Sequence, residues 1–131
     1  MDNDFNKVKN YILELNYLIT YENESDGVIA IEKETEGIKN LVLGIAEPLL
    51  IVEQFILEIN KDNQDVYKSL LQKNRDIIHG AFVLDESGKK LIFRNTHELE
   101  NLNLNEIEGT LNSLGLLLSE YSEELIKFSK N

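Results

Sequence analysis

GVIAIEKETEGIKNLVLGIAEPLLIVEQFILEI, residues 27–59, decides the fold. Its β-branched and leucine-rich texture is cut at Glu36-Gly37 and at Glu47-Pro48, which reads as three strands in a meander, over about 27–34, 38–46 and 49–59. Gly37 suits the positive φ of a short hairpin loop. Pro48, the only proline, fits a turn or a first strand position, where its missing N–H does no harm. The third run is apolar at alternate positions on both sides, so it reads as a strand covered on both faces, by helices or by another subunit.

Upstream, Phe5, Val8, Ile12, Leu15 and Ile19 fall at steps of three and four, one face of a helix over about 4–16. Asp2, Asn3 and Asp4 stand where an N-cap and first-turn acids belong. Downstream, Asp62 or Asn63 can cap a second helix over about 63–78. Val66, Tyr67, Leu70, Leu71, Asn74, Ile77 and Ile78 form its broad apolar side. Strands over about 80–85 and 89–95 follow, joined by DESGK, whose Gly88 suits a left-handed hairpin position.

The clearest periodicity comes last. Leu104, Ile107, Leu111, Leu114, Leu118, Tyr121, Leu125 and Phe128 keep one stripe of a helix over about 103–128. Asn103 and Glu106 have capping-box spacing, with Leu102 and Ile107 placed as a hydrophobic staple. Leu116 and Leu117 broaden the face, and Gly109 and Gly115 would weaken an isolated coiled coil, so this helix is expected to lie on the sheet. The element order is α-β-β-β-α-β-β-α. That is an α+β domain of three helices and a mostly antiparallel, five-stranded sheet spanning residues 1–131.

Composition removes whole classes of function. Thirteen lysines and arginines against 24 aspartates and glutamates leave a net charge of −11. Such a field repels phosphate backbones and anionic lipid, so neither nucleic acid nor membrane is an expected partner. Lys89, Lys90 and Arg94 alternate around a hairpin without stacking aromatics. The chain has no cysteine, hence no disulfide and no thiolate chemistry. No signal-peptide pattern opens it and no segment reaches membrane-span length, so a soluble, cytoplasmic protein is expected.

Candidate chemistry is sparse. YENESDG, residues 21–27, starts like a calcium loop at Glu22, Glu24, Asp26 and Gly27, but its twelfth position is Lys33. Ser87 and Lys90 spell S-x-x-K at a hairpin tip without a partner motif. His79 lacks a nucleophile or orienting acid at recognisable spacing and is expected to close the second helix. His97 lies in the polar NTHELEN connection. Glu53 interrupts an apolar strand, where burial would raise its pKa unless Lys39 or Arg94 pairs with it across the sheet. Asn74, on the apolar side of a helix, is expected to be a buried polar group with partners. No enzyme, cofactor or metal site is expected.

LLQKN, residues 70–74, followed by GAFVLDESGKKLIF, residues 80–93, resembles the type III secretion chaperone-like fold. Its members share an L-L-x-x-N helix, a strand, an acidic-glycine turn and a second strand. More narrowly, residues 37–59, 70–102 and 105–128 are similar to the YbjN-type domain family, with its Tir chaperone-like fold. The resemblance implies a non-enzymatic, homodimeric module for a protein or peptide client. Ile29, Ile31, Leu41 and Leu43 are candidate residues for the groove of such a module, or equally for the core. A small-ligand-binding sensory or regulatory domain is the alternative, with Glu53, Asn74 and His79 as candidate polar groups.

Overall fold

The computed structural model describes residues 3–130. Helix α1 covers Asp4–Glu14, and strands β1, β2, β3 and β4 cover Leu18–Asn23, Val28–Lys33, Ile38–Ala46 and Leu49–Glu58. Helix α2 covers Gln64–Asn74, strands β5 and β6 cover Ala81–Leu84 and Lys90–Glu98, and helix α3 covers Leu104–Lys130. All strand pairs are antiparallel in one sheet of six strands, ordered β1-β2-β3-β4-β6-β5.

The helix termini carry the local chemistry that their sequences imply. Asn3 caps α1 by accepting from the Asn6 amide at 3.0 Å, and Asn63 caps α2 by accepting from Asp65 and Val66. The Asp2 expectation lies outside the described residues. At α3 the capping box closes in both directions: Asn103 Oδ1 accepts from the Glu106 amide and Glu106 Oε1 from the Asn103 amide, each at 3.1 Å. Leu102 and Ile107, the expected staple, are both buried.

Three boundaries differ from the sequence expectation. The sheet has six strands, because residues 18–23, expected to form no element between the first helix and the first strand, form β1. That helix ends at Glu14, and Asn16 takes a left-handed φ of 66°. Ile19, Thr20 and Tyr21 then follow the strand preference of β-branched and aromatic residues, against the helical spacing of Leu15 and Ile19. Helix α2 stops at Asn74, with Arg75 as its C-cap, so His79 does not close it. Strand β6 runs on to Glu98 and takes in His97, expected in a connection.

All three helices bury their apolar sides against one face of the sheet. Phe5, Val8 and Ile12 of α1, Val66 and Leu70 of α2, and Ile107, Leu111, Leu114, Leu117 and Leu125 of α3 join the inward residues of the strands in one core. Ile29, Ile31, Leu41 and Leu43 belong to that core with 0% exposure, so they line no open groove. Of the two covers expected for the third apolar strand, helices or another subunit, the chain's own helices supply one face only. Along β4, Leu50, Val52 and Gln54 point inward, whereas Leu49, Ile51, Glu53 and Phe55 point to a face on which, among the described residues, no helix lies. Register partners continue that second face through Val42 on β3 and through Ile92 and Arg94 on β6.

Gly80 is the one residue that fits the entry to β5. Its φ is +102°, and a Cβ there would stand 2.4 Å from Cζ of the fully buried Phe93.

Candidate functional site

The three polar residues singled out from sequence do not converge. Glu53 lies on the helix-free sheet face, opposite Arg94 in the β4–β6 register, and forms an ion pair with it. Neither side chain is buried, with 37% and 41% of Glu53 and Arg94 exposed, so the cross-strand pairing with Arg94 explains the acid in an apolar strand. His79 sits in the connection after α2, against Gly109 of α3. Asn74 is used structurally: its Oδ1 accepts from the Phe82 amide at 2.7 Å and its Nδ2 donates to the Phe82 carbonyl at 3.1 Å.

That last contact lies beside an apolar surface groove. Strand β5 is a sheet edge, and edges present unpaired N–H and C=O groups. The Asp85 amide donates to the Lys90 carbonyl, so by antiparallel alternation Leu84 and Phe82 direct their own backbone groups away from β6. Asn74 occupies the outward pair of Phe82. Leu84, one step further along the same edge, faces a cavity of about 280 Å³ that Tyr67, Leu70, Leu71 and Leu91 help to line. Leu71 is 71% exposed and Leu84 41%, unusual for large apolar side chains flanking one groove.

The groove opens into a wider cleft with Asp62, Lys68 and Lys89 on its walls. Two cations to one anion make this cleft locally basic in a chain of net charge −11. At the junction the Tyr67 hydroxyl donates to Asp62 at 2.9 Å, and that bond holds the phenol proton above its ordinary range. Across the mouth, Ser87 donates to Asp85 at 2.7 Å and pulls the Asp85 carboxyl below its ordinary range, helped by the Lys90 and Lys89 amides. The β5–β6 turn is therefore fixed by its own polar atoms. Sequence reasoning placed Tyr67 and Leu71 on the helix's apolar side; Leu71, next to the buried Leu70, was the one available sign that this side is wider than the core it meets.

A second groove, about 420 Å³, lies between α3 and residues 76–79, with Ile78 86% and Leu116 70% exposed. Behind it the chain's two histidines meet adjacent residues of α3. His79 touches Gly109, and His97 Nε2 lies 2.8 Å from Thr110 Oγ1, which also accepts from Asn95 and donates to the Glu106 carbonyl. Burial lowers the His97 pKa; the Glu106 carboxylate opposes that shift and His79 adds to it. Among the described residues, no group of three or more His, Cys, Asp or Glu is placed to hold a metal ion, and no helix is long and apolar enough to cross a membrane.

Three helices on one face of an antiparallel sheet, with a helix–strand–acidic turn–strand unit at one edge, define an α+β fold of the type III secretion chaperone kind. The CesT_Tir_1 family model matches residues 1–131, and the chain belongs to that family. YbjN from E. coli, described as a proposed transcription regulator, superposes with a TM-score of 0.68 at 8% identity, over 91% of each chain. A chain of the HopA1–SchA chaperone–effector complex superposes with a TM-score of 0.61 at 14% identity, over 100% of this chain and 99% of the other. At such identities these likenesses show the shared fold. None of the curated proteins matches the sequence.

Proposed function

We propose that this protein is a non-enzymatic, protein-binding module of the chaperone or adaptor kind, and that its client is an extended segment seated at the β5 edge. The observation that carries this reading is the outward backbone of Leu84 beside an apolar groove flanked by exposed Leu71. A strand laid along such an edge gains main-chain hydrogen bonds, while the groove selects its side chains. The segment that fits has an apolar residue for the wall formed by Tyr67, Leu70 and Leu71, and an acidic residue flanking it toward Lys68 and Lys89. Family membership supports the same reading. A chain without cysteine has no disulfide to lose in a reducing cytoplasm, where we place it.

The small-ligand alternative draws no support from Glu53, Asn74 and His79, which lie at three separate places, with the Asn74 amide already committed to Phe82.

The test compares tagged full-length protein with Leu71→Glu and Leu116→Glu variants, recovered from the same cells and weighed intact by native mass spectrometry. The expected result is a client polypeptide held by the wild type and by Leu116→Glu and lost from Leu71→Glu. Retention by Leu71→Glu would place the client elsewhere.

A further inference from the structure

From the groove between α3 and residues 76–79 we infer a second interaction site, which takes a polypeptide segment bearing an arginine between apolar side chains. This groove shares no lining residue with the β5-edge groove or its cleft, and the inference does not rest on the client reading above.

Two apolar lips are held out by the fold. Ile78 and Leu116, at 86% and 70% exposure, stand on opposite walls of the groove. The segment that carries Ile78 is tied down on both sides: the Arg75, Asp76 and Ile77 amides donate to the Gln72, Lys73 and Asn74 carbonyls, and His79 rests on α3 at Gly109. A Cβ at Gly109 would stand 3.1 Å from His79 Nε2, so the missing side chain lets the segment lie this close to the helix, with Ile78 beside Leu116. Lips fixed in advance lose little conformational freedom when a partner covers them.

Charge selects the occupant. Asp76 and Glu120 stand on the walls, and no lysine or arginine does. Among the described residues neither carboxylate forms an ion pair, whereas the neighbouring Glu124 is neutralised by Lys73 at 2.8 Å. Tyr121, which also lines the groove, registers the excess of negative charge: burial first, and then the Glu120, Asp76 and Glu124 carboxylates, hold its phenol above the ordinary range. The cleft beside β5 instead presents Lys68 and Lys89. An acidic residue that suits that cleft is therefore repelled here, and a basic one is drawn in.

Arginine meets both demands in one side chain. Its aliphatic stem lies along apolar surface such as Ile78 and Leu116, while its planar guanidinium matches the geometry of a carboxylate such as Asp76 or Glu120. Apolar neighbours on either side of the arginine extend the contact to the rest of the lips. A small metabolite is the poorer occupant, because such ligands bury roughly 70–90% of their surface in a concave site. Lips as exposed as Ile78 and Leu116 flank an open trough, which a chain segment covers from outside.

Methyl-labelled full-length protein, titrated in the NMR spectrometer with three capped peptides, tests this: Gly-Leu-Arg-Leu-Gly, Gly-Leu-Glu-Leu-Gly and Gly-Ser-Arg-Ser-Gly. The first is expected to shift the Ile78 and Leu116 methyl signals saturably, with half-saturation on the order of 1 mM or below, and to leave those of Leu71 and Leu84 in place. The peptides lacking the arginine or the leucines are each expected to bind about tenfold more weakly or not at all. Asp76→Asn combined with Glu120→Gln, both at exposed positions, is expected to weaken the first peptide about three- to tenfold and to flatten its salt dependence. Ile78→Ser is expected to weaken it too, with unchanged circular dichroism. An absence of Ile78 and Leu116 shifts up to about 10 mM peptide would overturn the inference. So would equal binding of the glutamate peptide, shifts centred on Leu71 and Leu84, or an affinity indifferent to the paired substitution.

Discussion

The Asn74 side chain takes the place of a seventh strand for Phe82: it accepts from the Phe82 amide and donates to the Phe82 carbonyl, both within 3.1 Å. One amide at the end of α2 thereby closes part of the β5 edge and fixes the distance between that helix and the sheet. Replacing Asn74 by alanine leaves both backbone groups without a partner. Destabilisation by about 2 kcal/mol is expected in urea denaturation. The Phe82 amide is expected to exchange with deuterium faster, relative to global unfolding, than in the wild type.

Leu43 and Val42 are neighbours in β3 with opposite fates, 0% and 40% exposed. Leu43→Ala is expected to cost roughly 2–5 kcal/mol, through lost burial and the cavity left among packed neighbours. Val42→Ala is expected to cost under about 1 kcal/mol to the isolated fold. Paired denaturant titrations measure the difference, and equal costs would contradict the assignment of the two faces.

Gly80 and Gly88 both take positive φ, but only Gly80 is crowded. Nothing stands within 4 Å of a Cβ at Gly88, whereas at Gly80 it would overlap the Phe93 ring. Gly88→Ala is expected to cost about 1–2 kcal/mol, from the left-handed backbone alone. Gly80→Ala is expected to cost about 3 kcal/mol or more, since the ring has no free space to enter. Thermal or urea unfolding of the two variants separates strain from collision.

His97 makes stability depend on pH. Its pKa in the folded protein is lowered by burial beside Thr110, below the 6.5 of an unhindered imidazole. Below 6.5 the unfolded chain binds a proton that the folded one resists, so stability declines as pH falls from 6.5 through the folded pKa. Above 6.5 both states are neutral and the contribution is complete. His97→Gln keeps a hydrogen-bonding group toward Thr110 and removes the titration. Denaturation midpoints between pH 7.5 and 5 are therefore expected to fall less steeply for that variant than for the wild type.

Where an argument needed only neighbours in sequence, the sequence was enough. The Asn103–Glu106 capping box and the left-handed Gly37 and Gly88 turns are set within a few residues, and all are present. Asn74 was recognisable as a polar group needing partners. Strand β1 was not legible, because Ile19 keeps helical spacing from Leu15. Its conformation is decided by pairing with β2, through partners such as Ile19 and Ile31 that lie twelve residues apart.

The candidate surfaces show the same division more sharply. Alternation in β2 to β4 states which residues share a face, and by itself it determined the apolar character of both sheet faces; the α+β class was legible too, but not the first strand of the order. It does not state which face the helices cover, because Ile29 and Ile31 alternate with Val28 and Ala30, equally apolar at that range. That was decided only in the tertiary structure, by where α1, α2 and α3 come to rest. Their landing buries Ile29, Ile31, Leu41 and Leu43 and leaves Val42, Phe55 and the Glu53–Arg94 pair exposed, since the contacts that choose a face are made between residues far apart in the chain.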